Sequence, residues 1–123
     1  MSEVYWLRLD LWQGEEWFDS NLYWLSTKPD IIDFKSPDAT WFSTPNSRWA
    51  DLSDLFSLPA AELDLSHVVE NGMVKVTVHN PGPAMAFFVR LTALDEAGNE
   101  ILPLRWSDNY ISLLPNETRL VTA

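Results

Sequence analysis

Cysteine is absent from this sequence of 123 residues, and basic residues are scarce. Without cysteine the chain forms neither disulfides nor thiolate-bound metal sites. Eight Lys and Arg stand against eighteen Asp and Glu, which gives a formal net charge of −10. Proteins that bind nucleic acid or an anionic membrane surface use clustered basic side chains. The composition therefore predicts no nucleic-acid partner and no membrane partner.

Long apolar runs are missing as well. No run approaches the roughly 18 apolar residues that a membrane-spanning helix needs. The first residues carry no basic segment followed by an apolar one, so no signal peptide is visible. A chain of 123 residues fits one domain with one core.

Tryptophan is abundant, with seven residues in a short chain. Indole rings fill cores, dock on neighbouring domains or stack on the flat faces of sugars. We interpret these mainly as core and docking residues, with Trp24 and Trp106 in the core. Sugar stacking stays open as the alternative. The seven are Trp6, Trp12, Trp17, Trp24, Trp41, Trp49 and Trp106.

The first half of the chain predicts a hairpin and a long loop. Val4 to Trp12 alternates as a strand does, and Asn21 to Ser26 follows a turn around Gly14 and pairs back on it. Residues 27–50 contain three prolines and no period, which predicts an ordered loop of the kind that often carries function. Residues 51–58 predict a short helical turn capped by Asp51. The side chains expected to face a core are Tyr5, Leu7, Leu9 and Leu11.

The second half predicts strands throughout. Asn71-Gly72 is a type I′ turn signal, which sets Glu70 opposite Met73. Further strands are expected at Met85 to Ala93 and at Arg119 to Ala123. Strands at this spacing with no long helix indicate an antiparallel sandwich. The register predicts one core face, composed of Leu65, His67, Val69, Val74, Val76 and Val78.

The stretch from Ile101 to Pro115 predicts two short strands joined by a polar corner. Leu102, Leu104 and Trp106 alternate in the first strand, and the second begins at Tyr110. Asp and Asn side chains bond to nearby backbone and favour turns. We therefore interpret this corner as structural, with Trp106, Asp108, Asn109 and Tyr110 as its residues.

RWSDNYISLLPNE at the end of the chain resembles the C-terminal immunoglobulin-like sandwich of glycoside hydrolase family 2, in its exo-β-D-glucosaminidase and mannosidase branch. VYWLRLDLW, NLYWLS, ADLSDLFSLP and VTVHNPGPAMAFFVRLTALD resemble it in the same order. The resemblance implies an accessory part of a longer enzyme, whose two catalytic Glu residues lie in a barrel domain that this sequence does not match. In that family, residues 1–26 would form a hairpin at the junction with a preceding domain.

No catalytic, cofactor or metal site is predicted in the chain itself. Glycosidases of family 2 use paired carboxylates. The adjacent acids Glu15-Glu16 and Asp95-Glu96 are expected in turns, where their charge is solvated. His67 and His79 point to opposite faces in the expected register and cannot share a metal. We interpret His67 as a core residue bonded to backbone.

The sequence thus predicts an all-β immunoglobulin-like sandwich over residues 1–123. Its predicted function is that of a non-catalytic module packing on the catalytic and other domains of a parent glycosidase. The alternatives are an autonomous carbohydrate-binding module and a protein-interaction sandwich. Trp41 and Trp49, in the loop, are the residues expected to contact a sugar or a partner domain. A parent resembling bacterial members would be periplasmic or secreted.

Overall fold

The regular secondary structure of the protein is almost entirely β-strand. A computed structural model describes residues 2–123. The chain divides into a first unit that ends at Leu58 and a second unit, Pro59–Ala123. The all-β fold with one short helical turn is confirmed, and the single-domain organisation stays a prediction. The strands are β1 (Val4–Gln13), β2 (Glu16–Ser26), β3 (Ile31–Ile32), β4 (Asn46–Arg48), β5 (Asp64–Glu70), β6 (Met73–His79), β7 (Ala86–Val89), β8 (Ile111–Leu113) and β9 (Thr118–Thr122).

The first unit begins with a long antiparallel hairpin of β1 and β2. Gly14 turns the chain with a φ of 65°, which costs a residue without a Cβ little. The second strand begins at Glu16 and not at Asn21, so it is longer than predicted. Trp6 lies directly opposite Trp24 in this ladder, and both rings are half-buried.

The face of β1 that was expected to enter a core is exposed, so that prediction is wrong for the described chain. Tyr5 pairs with Leu25 and Leu7 with Tyr23, which places these four side chains on one face of the hairpin. Two strands supply one layer, and an apolar layer becomes buried only when a second layer covers it. We call this surface the hairpin face; its apolar residues are Tyr5, Leu7, Leu9, Leu11, Tyr23 and Leu25, all exposed.

Residues 27–50 form the predicted loop, which contains two short strands, and a helical turn follows it as predicted. β3 pairs with β4, and a 3₁₀ turn covers Ser53–Ser57. Its N-cap is Leu52, so the Asp51 cap is wrong. Asp51 instead precedes the cap and accepts bonds from the N–H and the hydroxyl of Ser53 at 3.1 and 2.6 Å.

The second unit is a two-sheet sandwich. One sheet has the order β5-β6-β9 and the other pairs β7 with β8, all antiparallel. The sheets share one small core, because inward side chains from β6, β7, β8 and β9 meet there. Its buried residues are Val78, Ala86, Leu91, Ile111, Leu113 and Val121.

The β5–β6 turn confirms the predicted register. Asn71 and Gly72 have φ values of 52° and 75°, as a type I′ turn requires, and Glu70 pairs with Met73. The predicted core face is only partly correct, because Val78 is fully buried while β5 is exposed along its whole length. The open half of that face lines a mostly apolar cleft of about 410 Å³. The core role of His67 is therefore wrong, since it sits on the exposed edge strand.

The first strand predicted within Ile101 to Pro115 is absent from the described structure. Residues 101–110 form bends and coil, and Leu102 is 71% exposed. Pro103 supplies no N–H for a ladder, which explains why the alternating pattern fails. The second predicted strand is confirmed as β8, and Trp106 packs half-buried against the core.

Among residues 2–123, no helix has the length and apolar character that crossing a membrane requires.

Candidate contact surfaces

Trp41 forms the tip of the loop in the first unit, together with Phe42. The N–H of Thr40 donates to the carbonyl of Ser43 at 2.7 Å, and the N–H of Ser43 donates back at 3.4 Å. These two bonds close a turn with Trp41 and Phe42 at its centre. Trp41 is 94% exposed and Phe42 is 72% exposed. Their ring centroids lie 5.1 Å apart with an interplanar angle of 84°. This pair is called the aromatic tip below.

Trp49 follows β4 directly and is 74% exposed. Arg48 fixes the adjoining backbone by donating to the carbonyl of Pro29, and the N–H of Ala50 donates to Asp30 at 2.8 Å. The ring therefore extends from ordered backbone into solvent. Both loop tryptophans named from the sequence are thus available for contact, although their role stays a prediction.

Asn109 organises the polar corner of the second unit. Its side chain accepts a bond from the N–H of Leu91 at 2.7 Å and donates to the carbonyl of the same residue at 3.0 Å. It behaves as a strand residue would, because it satisfies both backbone groups of Leu91. Asp108 accepts a bond from the exposed N–H of Asn109, and Tyr110 follows with a positive φ of 54°.

A second aromatic pair lies beside this corner. Phe88 and Tyr110 have ring centroids 5.2 Å apart, and Phe88 also has a positive φ, 56°. Phe88 sits where the β7–β8 register shifts, with its N–H bonded to the hydroxyl of Ser112. Bulges of this kind redirect side chains. The sequence pattern gave no signal for this pair, because Phe88 reads as an ordinary strand residue.

The sequence pattern predicts only a turn at Asn80, but the structure gives this residue a larger role. It is fully buried, and its amide donates to the carbonyls of Ala84, Leu113 and Leu114 at 2.8, 3.2 and 3.2 Å. Its side-chain oxygen accepts from the N–H of Gly82 at 3.2 Å. The Asn-Pro-Gly-Pro sequence predicts a turn, but it does not show that the turn is held from inside the sandwich.

Among the described residues, the carboxyl groups with displaced pKa values all shift downward. A glycosidase general acid needs a raised pKa. The bond from the N–H of Asn99 lowers the pKa of Asp95, with the Asn99 side chain adding to the effect. The pKa of Asp54 is lowered by the N–H of Glu3, and that of Asp51 by the hydroxyl of Ser53.

Glu3 follows the same pattern, because bonds from Thr27 and Lys28 lower its pKa. The lowered pKa values favour the ionised form of each of these carboxyl groups. Within residues 2–123, no three His, Asp or Glu side chains cluster as metal ligands would.

Residues 41–123 match the family model of the exo-β-D-glucosaminidase Ig-fold domain. The chain belongs to this family. The predicted immunoglobulin-like sandwich and the resemblance to exo-β-D-glucosaminidases are thereby confirmed, while support for the mannosidase branch is weaker.

Similar proteins match the chain over most of its length. It is 34% identical to the exo-β-D-glucosaminidase of Streptomyces avermitilis, covering 99% of this chain and 14% of that protein. It is 38% identical to that of Amycolatopsis orientalis over 84% of this chain and 10% of the relative. A solved structure of the Amycolatopsis orientalis exo-chitosanase in complex with PNP-β-D-glucosamine superposes with a TM-score of 0.80 at 32% identity. That match covers 99% of this chain and 15% of the other.

The Ig-fold domain is a small part of these glycosidases. The chain spans about 10 to 15% of the length of the relatives named above. This fraction is consistent with an accessory domain accompanied by other domains of a parent enzyme.

Proposed function

We propose that this chain is a non-catalytic module of an exo-β-D-glucosaminidase that packs on and supports the domain carrying the catalytic residues. The observation that carries the proposal is the amount of apolar surface left in solvent. Among residues 2–123, seven hydrophobic side chains are buried, whereas long apolar faces on both units are exposed. An independent domain would be expected to cover such faces.

The total accessible surface allows an estimate of the area available for such a contact. The chain exposes 9554 Å² for a mass of 14.1 kDa. Two separate folded domains of half that mass would together expose about 8,100 Å² by the usual scaling of area with mass. The excess of about 1,400 Å² exceeds the roughly 800 Å² that each partner contributes to a standard interface. This area is what a permanent neighbour would bury.

The hairpin face is one candidate for that contact. A two-stranded hairpin is marginally stable by itself in water, and Tyr5, Leu7 and Leu9 need a covering layer. Trp41 and Trp49 add exposed aromatic surface in the loop of the first unit. We propose that these surfaces contact the remainder of the parent enzyme, and that residues 1–26 lie at the junction with a preceding domain.

A reconstitution experiment tests this function. The parent enzyme lacking this chain and the chain itself are purified separately and mixed, and association is measured by sedimentation velocity. We expect a 1:1 complex and a higher melting temperature for the truncated enzyme in the mixture. Absence of association, with equal melting temperatures for truncated and full-length enzyme, would contradict the proposal.

The chain by itself is expected not to hydrolyse nitrophenyl β-D-glucosaminide. The adjacent acids Glu15-Glu16 and Asp95-Glu96 are exposed, and the carboxyl groups with displaced pKa values are shifted downward. Activity that co-purifies with the chain through a second column would refute this expectation.

Carbohydrate binding is the second candidate, and the exposed Trp41 and Trp49 rings favour it. The test is a fluorescence titration with glucosamine oligosaccharides at 0.1 and 1 M salt. The net charge of −10 would attract this cationic sugar, but screening shortens to about 3 Å at 1 M. We expect binding to vanish at high salt. Micromolar or tighter binding at 1 M salt would instead identify a carbohydrate-binding module.

A further inference from the structure

The aromatic tip has a composition that turn formation does not explain. Two-residue turns usually place Gly, Asn or Asp at their centre, since these residues suit tight backbone or bond to it. Here Trp41 and Phe42 occupy the centre, between the reciprocal bonds of Thr40 and Ser43. Neither ring is used to fill a core, because both are exposed. The turn therefore serves to present the rings.

The backbone that supports the tip is already ordered. The N–H of Asp33 donates to the carbonyl of Pro45 at 2.9 Å and closes the base of the segment. Inside this segment, the N–H of Ser36 donates to the carbonyl of Asp33 at 3.2 Å, and the N–H of Ala39 donates to the carbonyl of Ser36 at 3.1 Å. Ordering a loop costs free energy at the moment of binding unless the loop is ordered beforehand. The tip has the preorganisation expected of an interface anchor.

The ring geometry favours a pocket over a flat ligand. An interplanar angle of 84° presents one ring face beside one ring edge, so the pair forms a knob and not a platform. Residues 40–45, Thr-Trp-Phe-Ser-Thr-Pro, carry no charge, which suits burial in an apolar site. A second copy of the chain is disfavoured, because two molecules of net charge −10 repel each other.

We infer that the aromatic tip inserts into an apolar pocket on a part of the parent polypeptide that lies outside this chain, where it anchors this module. The inference rests on the proposed function. The occupant follows from length, since the chain spans only 10 to 15% of its relatives and most of such a polypeptide lies outside it. Buried Trp residues in preorganised surroundings dominate binding energy in many interfaces.

The test compares single variants in the reconstitution experiment. Trp41→Ala and Phe42→Ala are the test variants, and Phe56→Ala is the matched control, because the Phe56 ring is also 94% exposed. Removing an anchor is expected to weaken association about 30-fold or more. We expect a change below about 3-fold for the control. All three variants should melt like the unmodified chain, which excludes misfolding as the cause.

The outcomes separate this inference from the proposed function. If the unmodified chain fails to associate, the proposed function is wrong and the tip has no pocket to enter. If it associates and the tip variants associate equally well, or the control loses as much, the inference alone is wrong. Loss of glucosamine oligosaccharide binding with association intact would make the tip a sugar contact, and loss of self-association would make it a dimer contact. Either result would overturn the pocket.

A second measurement uses the full-length polypeptide. Hydroxyl-radical labelling read by mass spectrometry should modify Trp41 and Phe42 at least about 10-fold less in the full-length protein than in the isolated chain, because a pocket excludes the radical. Equal labelling in the two forms would refute insertion.

Discussion

Replacing Asn80 by alanine should destabilise the second unit strongly. The side chain is fully buried and its amide reaches three carbonyls, those of Ala84, Leu113 and Leu114. Its side-chain oxygen also accepts a hydrogen bond from the N–H of Gly82. One residue thus joins the turn after β6 to the end of β8, and alanine would leave these backbone groups without their partner inside the sandwich.

The expected loss follows from the number of bonds. A buried group left unsatisfied costs about 1–3 kcal/mol, and a net hydrogen bond contributes about 0.5–1.5 kcal/mol. The two amide hydrogens of Asn80 serve three carbonyls, and its oxygen serves one N–H. We therefore expect the free energy of unfolding to fall by about 3–5 kcal/mol. Unfolding entropy is about 2.1 cal/mol/K per residue, so the melting temperature of a 123-residue chain should fall by about 12–20 °C.

Thermal unfolding followed by circular dichroism measures this loss, with Asn21→Ala as the matched control. Asn21 is exposed and makes a long 3.4 Å bond to the Tyr23 hydroxyl, so its removal should change stability by less than about 0.5 kcal/mol. A shift below about 3 °C for Asn80→Ala would refute the reasoning. Asn80→Asp adds a pH test. A carboxylate facing carbonyls has a raised pKa, so this variant should be least stable at neutral pH. It should regain stability as the pH falls through the raised pKa towards the unfolded value of about 3.9.

Three further outcomes are expected. Asn109→Ala should cost about 2–3 kcal/mol in urea unfolding and Asp108→Ala less than about 1, because Asn109 satisfies both backbone groups of one buried residue; the reverse order would contradict this assignment. Gly72→Ala should cost roughly 1 kcal/mol, measured the same way, because φ is 75°; a neutral result would show that the turn rearranges. Asp95 should titrate below the free-peptide pKa of about 3.9 in carboxyl NMR, because Asn99 bonds its ionised form; its stabilisation is present above that pH and lost as pH falls through the lowered pKa, and a pKa of 3.9 or more would refute it.

Local chemistry made parts of the fold predictable. The Asn71-Gly72 turn set the register of β5 and β6, because positive φ at two adjacent positions restricts which residues fit. The β1–β2 hairpin, β9 and the helical turn near residues 51–58 followed in the same way from turn residues and alternation. These features depend on neighbours within a few positions, which is the range over which a sequence pattern carries information.

Burial was harder to predict, because it depends on partners distant in sequence. Leu7 and Leu65 alternate as core residues do, yet both are exposed in the described chain. Leu102 alternates as well, but Pro103 prevents a ladder there. Among the contact candidates, Trp41 and Trp49 were identified because a proline-rich loop with large rings is unusual. Nothing in the pattern indicated that Phe42 would share the tip.

The same failure of prediction carries information about function. The alternation of apolar and polar residues predicts which side chains share a face. This prediction is correct for the hairpin face, where Tyr5 and Leu7 pair with Leu25 and Tyr23 across the ladder. It does not state which element covers that face. The relatives are about seven to ten times longer than the matched segment, so the proposed cover is another domain of a parent enzyme. In the proposed function, an apolar face that the pattern assigns to a core and the fold leaves open is half of an interface. Its substitution by polar residues should then weaken docking more than it weakens this chain.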